Sequence, residues 1–392
     1  METPAGREPA VYGGDVTPRL FQRARELVRE AQNAISTSRT WRFETMLGHG
    51  SYGVTILLSE RNPVHRYSRK VVLKLPLVPG AQNPDFAREA QILEVLRGHA
   101  HIVQIINYAQ DISEFRPRGG RIRRALRRLE NVFRNPPENL FSYLGRLSRS
   151  DCPAILLEYL ENGNLYKIMD NLYSRRYQLP NRILWGWYHC LVSACVAMTY
   201  ERQEPGPRTM ELEVPQRNLR HLRIVHDDIA ARNVMIGERD PFDRDHRSIP
   251  KLTMIDFGAA HELPPNRQRN AEDANLEGIN IVMLQLINPP LGRRNHVYGP
   301  YAWNGITTMA AGIFDRRRTS LLDPELQTLI AQSFRVGDRM EPLGRPSLAE
   351  TFERTKRGML KPVESYPARL RETDDYIRAR LQRIIYDADR GW

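Results

Sequence analysis

Two short loops constrain this chain more than anything else in it. The first reads Ile224-Val225-His226-Asp227-Asp228-Ile229-Ala230-Ala231-Arg232-Asn233, and the second Met254-Ile255-Asp256-Phe257-Gly258. Each follows an apolar stretch that reads as a strand, so the polar residues fall where a strand gives way to a loop. Asp228 and Asn233 are five positions apart, and Asp256 opens the second loop. Carboxylate and carboxamide oxygens are hard ligands suited to a cation such as Mg²⁺.

Upstream segments fit the same chemistry. Leu47-Gly48-His49-Gly50-Ser51-Tyr52-Gly53 reads as a hairpin whose Gly48, Gly50 and Gly53 let backbone N–H groups approach a ligand. Lys74 ends the apolar run Val71-Val72-Leu73 and projects from a strand, a costly place for an ammonium unless an anion meets it. Glu89, Ile92, Leu93 and Leu96 share one face of an expected helix. Glu94 competes with Glu89 as the carboxylate for Lys74.

Together these segments resemble the protein kinase family. The loop at Asp228 is similar to its catalytic loop, Asp256-Phe257-Gly258 to its metal-binding turn, and Gly48 to Gly53 to its glycine-rich loop. Thr55 stands where the family prefers valine, and Val72 where it has a small alanine above the adenine, which crowds the nucleotide. The interval from Glu89 to His101-Ile102-Val103 favours Glu89 over Glu94. Ala154 to Leu160 resembles the last strand and hinge, with Leu157 as gatekeeper and the backbone of Glu158 and Leu160 meeting adenine. Asp273 to Gly278, heading the run Ile279 to Ile287, resembles the buried central helix, and Gly344-Arg345-Pro346-Ser347-Leu348 the start of a late helix.

The resemblance covers about residues 41 to 357 and implies an α+β, bilobal fold with a small β-rich N-lobe and a larger, mostly helical C-lobe. The implied boundaries are a partly helical extension at 1–40, an N-lobe at 41–157, a hinge at 158–162, a C-lobe at 163–357 and a helical tail at 358–392. The implied function is ATP- and Mg²⁺-dependent phosphoryl transfer to protein hydroxyls, Ser/Thr by default. Asp228 would be the base, Lys74 would hold the α and β phosphates, and Glu89 would position Lys74. Asn233 and Asp256 would bind the metal. Arg232, as in the tyrosine-kinase form of the loop, would replace the lysine that touches the γ-phosphate.

The chain also departs from the family. The span from Gly258 to Asp273 is short and has no A-P-E, so the peptide-docking platform is in doubt. Residues 259–272 contain no Ser, Thr or Tyr, and Asp227 replaces the arginine that would receive a phosphate. Control by phosphorylation of this segment is therefore not expected. Arg345 loses its usual glutamate, with Glu272 a candidate replacement. Two other readings stay open: a small-molecule kinase of the choline and aminoglycoside kinase type, and a pseudokinase scaffold that binds nucleotide or nothing. Retention of Lys74, Glu89, Asp228, Asn233 and Asp256 argues against the scaffold, and the missing docking platform argues for it.

At 392 residues and 41% hydrophobic, the chain can bury one large or two medium cores. Its net charge of +12 is uneven: residues 111–150 hold ten arginines against four acidic residues. Ile122, Leu126, Leu129 and Phe133 repeat there at helical spacing. This basic insertion either packs on the N-lobe or meets an acidic partner, whether protein, membrane surface or RNA. Residues 202–220 and 238–250 read as surface-loop insertions. Thr17-Pro18 is expected to start a helix with Leu20, Phe21, Ala24, Leu27, Val28 and Ala31 as its apolar stripe, and Tyr376 to Tyr386 a second one, while residues 1–16 are expected to be disordered.

Three cysteines without zinc spacing fit a reducing compartment, and ten scattered histidines give no expectation of a zinc site. No signal peptide opens the sequence and no apolar run is long enough to span a bilayer, so an intracellular place, cytoplasmic or nuclear, is expected.

Overall fold

In the computed structural model the described residues are 18–50, 53–61, 69–77, 84–109, 140, 153–175, 177–201, 213–215, 221–240, 243, 245–264, 270–289, 298–315 and 319–386. They form a mixed α+β protein whose largest sheet has five antiparallel strands. The chain divides into two units, one of residues 1–97 and 104–159 and the other of 98–103 and 160–392. The last of the three breaks, between Tyr159 and Leu160, falls inside the expected hinge.

The first unit is built on β1 (Trp41–His49), β2 (Val54–Glu60), β3 (Lys70–Leu75), β4 (Ile105–Ala109) and β5 (Ala154–Glu158), in the order β1-β2-β3-β5-β4. Strand alternation sends Val71, Leu73 and Leu75 of β3, with Ala154 and Leu156 of β5, into one core. Helix α1 (Pro18–Ser36) covers that face with Ala24, Leu27 and Ala31, while Leu20 and Val28 pack at its edge. Half of the expected stripe is thus buried and the other half partly so, and Phe21 lies tilted against His49 with ring centroids 5.3 Å apart. The opposite parity of β3 points Val72 and Lys74 away from this core, and helix α2 (Pro84–Val95) meets Lys74 there.

The second unit is mostly helical. Helix α3 (Leu165–Ser174) starts at Asn164, whose side chain caps it by accepting the Lys167 N–H. Helix α4 (Asn181–Thr199) is buried on all sides, as a helix that is apolar all round must be. Two small ladders follow: β6 (Ile224–Val225) with β9 (His261–Glu262), and β7 (Val234–Ile236) with β8 (Leu252–Met254). Helix α5 (Ala271–Ile287) comes next, capped by Asn270 and buried along Leu276, Ile279, Val282, Met283 and Leu286. A three-stranded sheet joins β10 (Tyr301–Trp303), β11 (Ile306–Thr308) and β12 (Arg335–Val336), with α6 (Pro324–Ser333) before its last strand. Helix α7 (Leu348–Met359) starts at the Ser347 cap, and α8 (Asp374–Leu381) runs into a wider turn at Gln382–Tyr386.

The expected helices at 18–36 and from Tyr376 onward are present. The Thr17 cap, residues 1–16 and the arginine-rich stripe of 111–150 lie outside the described residues. No helix among the described residues is long and apolar enough to cross a membrane.

Candidate active site

Lys74 lies on β3, a central strand rather than an edge, with β2 on one side and β5 on the other. Its ammonium is buried, and α2 supplies the counter-charge. Lys74 Nζ donates to both oxygens of Glu89, at 2.6 and 2.7 Å, with the two residues 5% and 1% exposed. Glu94 faces outward and pairs with Arg97 at 3.1 Å, which settles which carboxylate meets the lysine.

The glycine-rich segment is a turn between two paired strands: Gly50 N–H donates to Gly53 O at 3.0 Å, and His49 pairs with Val54. Ser51 and Tyr52 at its tip lie outside the described residues. Gly53 is held to glycine by packing, since a Cβ there would stand 2.6 Å from the Leu75 carbonyl oxygen. A Cβ on Gly50 would meet nothing within 4 Å, so no neighbour requires its bareness. Leu157, the expected gatekeeper, is buried beside Val72 on β5. Glu158 is anchored by Gln104, whose carbonyl accepts the Glu158 N–H at 3.0 Å and whose N–H donates to Glu158 Oε1 at 2.9 Å. Leu160 begins the second unit's main segment.

In the second unit the loop after β6 gathers three of the expected residues. Asp228 is gripped on both oxygens: Arg232 forms a short ion pair with Oδ1, and Asn233 Nδ2 donates to Oδ2 at 2.8 Å. The same Asn233 nitrogen reaches the Asp228 carbonyl at 2.9 Å. Asn233 is buried, and its carbonyl accepts the Ile255 N–H at 2.9 Å, which ties the loop to the segment carrying Asp256.

Asp256 itself sits in the left-handed region at φ 62°, ψ 72°. A non-glycine residue held there carries strain of the kind that collects at functional sites. Asp227 has φ 56° in the neighbouring loop.

His226 organises the floor of this arrangement. Fully buried, it lies 3.0 Å through Nε2 from the Ile255 carbonyl, accepts the Asp228 N–H at Nδ1 at 3.3 Å, and packs on Phe257 with centroids 4.7 Å apart. Burial holds its pKa below the ordinary histidine value, against the opposing pull of the Ile255 carbonyl and of the Asp256 and Asp228 charges.

Three features escaped the sequence. Asn275 on α5 accepts the His226 N–H at 3.1 Å and donates to Ile224 O at 2.8 Å, so the central helix braces the loop through a carboxamide. Asp227, in place of the phosphate-receiving arginine, meets His261 of β9 at 3.4 Å. Arg345 does not take Glu272 as partner; its Nε donates to the Arg335 carbonyl at 3.1 Å, while Glu272 lies 3.5 Å from His221. The contacts of Asn275 span about 50 residues of chain, and local patterns are silent about such pairs.

The histidines, scattered in sequence, are not all scattered in space. His101, Cys190 and His246 converge in the second unit, each offering a donor atom within 4.8 Å of the others. Their spacing matches no short ligand motif, so only the fold reveals them.

No protein-family model matches the chain, and no match is found among curated proteins.

Proposed function

We propose that the chain is an ATP- and Mg²⁺-dependent phosphotransferase of the protein-kinase type, with a bilobal fold and protein hydroxyls as acceptors. The observation that carries this reading is the buried Lys74–Glu89 pair. Desolvating two charges costs several kcal/mol each, and well-packed apolar residues commonly stabilise as much or more. A fold therefore has little structural reason to keep such a pair on a central strand. A lysine held at a fixed point by a helix carboxylate has a chemical use: it presents a positive charge to phosphate oxygens.

The residues of the second unit support the same reading. Asn233 spends its amide nitrogen on Asp228, which leaves Oδ1 as the end that suits a hard cation, and the strained turn at Asp256 sets a carboxylate next in line. Mg²⁺ at these oxygens would neutralise phosphate charge. Asp228 would orient the acceptor hydroxyl and take its proton. A carboxylate has about four lone-pair sites, so the bonds from Arg232 and Asn233 orient Asp228 and leave it room to accept a proton. Arg232 would also stand near the transferred phosphate.

The segment after Asp256 favours an enzyme not switched by phosphorylation. Asp227 is satisfied by His261, and β9 joins β6 directly. The shortness of this segment also keeps a second reading, transfer to a small molecule, in play.

Nucleotide-dependent melting tests the proposal. ATP with Mg²⁺ at a hundredfold excess over Kd should stabilise the wild type by about 2.7 kcal/mol, and Asp256→Asn should lose the Mg²⁺-dependent part. A wild type whose melting is indifferent to millimolar nucleotide is a scaffold rather than an enzyme of this class.

A further inference from the structure

Two buried histidines and a cysteine that the Asp228 loop does not use form a second constellation. His101 lies in segment 98–103, Cys190 near the middle of α4 and His246 in the 238–250 loop, and all three are buried. The two imidazoles are arranged alike. Nδ1 of His101 is 2.6 Å from Glu213 Oε2, and Nδ1 of His246 is 2.7 Å from Asp243 Oδ2. A carboxylate at Nδ1 keeps the ring proton on that side and makes Nε2 the lone-pair nitrogen, which is how outer carboxylates orient metal-ligating histidines.

The remaining nitrogens complete the pattern. Nε2 of His246 stands 3.3 Å from Cys190 Sγ, close to the separation of about 3.5 Å that a tetrahedral zinc ion imposes on a sulfur and a nitrogen ligand. Nε2 of His101 is buried and has no hydrogen-bond partner among the described residues, in a ring whose centroid is 5.4 Å from that of His246. A buried nitrogen left without a partner is costly, and an ion between the three side chains would satisfy it.

We propose that His101, Cys190 and His246 bind one Zn²⁺ ion that staples segment 98–103 and the 238–250 loop to helix α4. One thiolate and two neutral imidazoles suit zinc, whereas Mg²⁺ and Ca²⁺ take oxygen ligands. Both insertions read as surface loops have a task here: 202–220 delivers Glu213, and 238–250 delivers Asp243 and His246. Glu213 also accepts the His101 N–H at 2.9 Å, so one carboxylate fixes both backbone and ring. The staple continues toward the Asp228 loop, because the His101 carbonyl accepts the N–H of Met254, two residues before Asp256, at 2.8 Å. The metal proposal rests on this donor geometry and not on the phosphotransferase reading.

The test uses the full chain and metal alone. Atomic emission on protein purified without chelator should find about one zinc per chain. Protein stripped by a strong chelator should melt lower and recover with Zn²⁺. Loaded with Co²⁺, it should develop the near-ultraviolet thiolate-to-cobalt charge-transfer band, and Cys190→Ser should lack that band. Because Cys190→Ser sits in the core and can fail to fold, Asp243→Asn is the second variant. It keeps all three ligands and should weaken Zn²⁺ binding about 10–100-fold in a competition titration. Absence of zinc together with no cobalt band overturns the proposal. So does a cobalt band that survives in Cys190→Ser, or Zn²⁺ affinity unchanged in Asp243→Asn.

Discussion

Lys74 and Glu89 are held together almost out of water, so each depends on the other's charge. Glu89→Gln leaves the ammonium facing a neutral amide and is expected to lower stability by about 3–5 kcal/mol. Glu94→Gln, which touches only the exposed pair with Arg97, should change it by less than about 1 kcal/mol. Denaturant titration of both variants checks this, and equal losses would contradict the assignment. His226 makes a pH prediction. Its folded pKa lies below the ordinary value, so on acidification the unfolded chain takes up the proton first, near pH ~6.5. Stability from this group is therefore complete above about pH 6.5 and falls as the pH drops toward the folded pKa. His226→Gln should show a shallower loss of denaturation midpoint between about pH 7.5 and about pH 5.5 than the wild type; identical slopes would mean that the imidazole is not held neutral.

At the scale of elements, much was legible because it is local. The strand carrying Lys74, the helix face of Glu89, Ile92 and Leu93 and the hairpin at Gly48 to Gly53 each follow from periodicity or turn chemistry, and each is present, as is the helix start at Gly344 to Leu348 that the resemblance implied. What stayed hidden is long-range. The bond from Asn275 to the His226 backbone joins α5 to a loop 49 residues away, and Glu213 reaches His101 across 112 residues. No window of sequence holds both ends of such a contact. Gly278 is an instance with a testable consequence. A Cβ there would stand 2.8 Å from Ile229 Cβ, next to Asp228, and neither backbone can yield without moving. Gly278→Ala should therefore cost about 1–3 kcal/mol by overpacking and reduce turnover by displacing Asp228. A thermal melt paired with a turnover assay checks both, and a variant with wild-type values in each would show that α5 and the loop are not in contact as described.

Across the whole molecule, the first unit carries a buried cation–carboxylate pair and a glycine-rich turn, and the second a loop with an oriented carboxylate, a carboxamide and a strained aspartate. Along the chain these residues keep the order of the protein kinase motifs they resemble, and the proposed phosphotransferase reading rests on that order and on the local geometry of each unit. The basic insertion at 111–150 adds charge whose use lies outside the described residues. Transfer of labelled γ-phosphate from ATP with Mg²⁺, scored on the chain itself, on generic protein acceptors and on water, tests the central claim most directly. The wild type should transfer label, and Asp228→Asn should bind nucleotide nearly as well while transferring at least about 100-fold more slowly, the lower end of what a positioned base contributes. Transfer at the same rate by Asp228→Asn, or none by the wild type to any acceptor, would contradict the account.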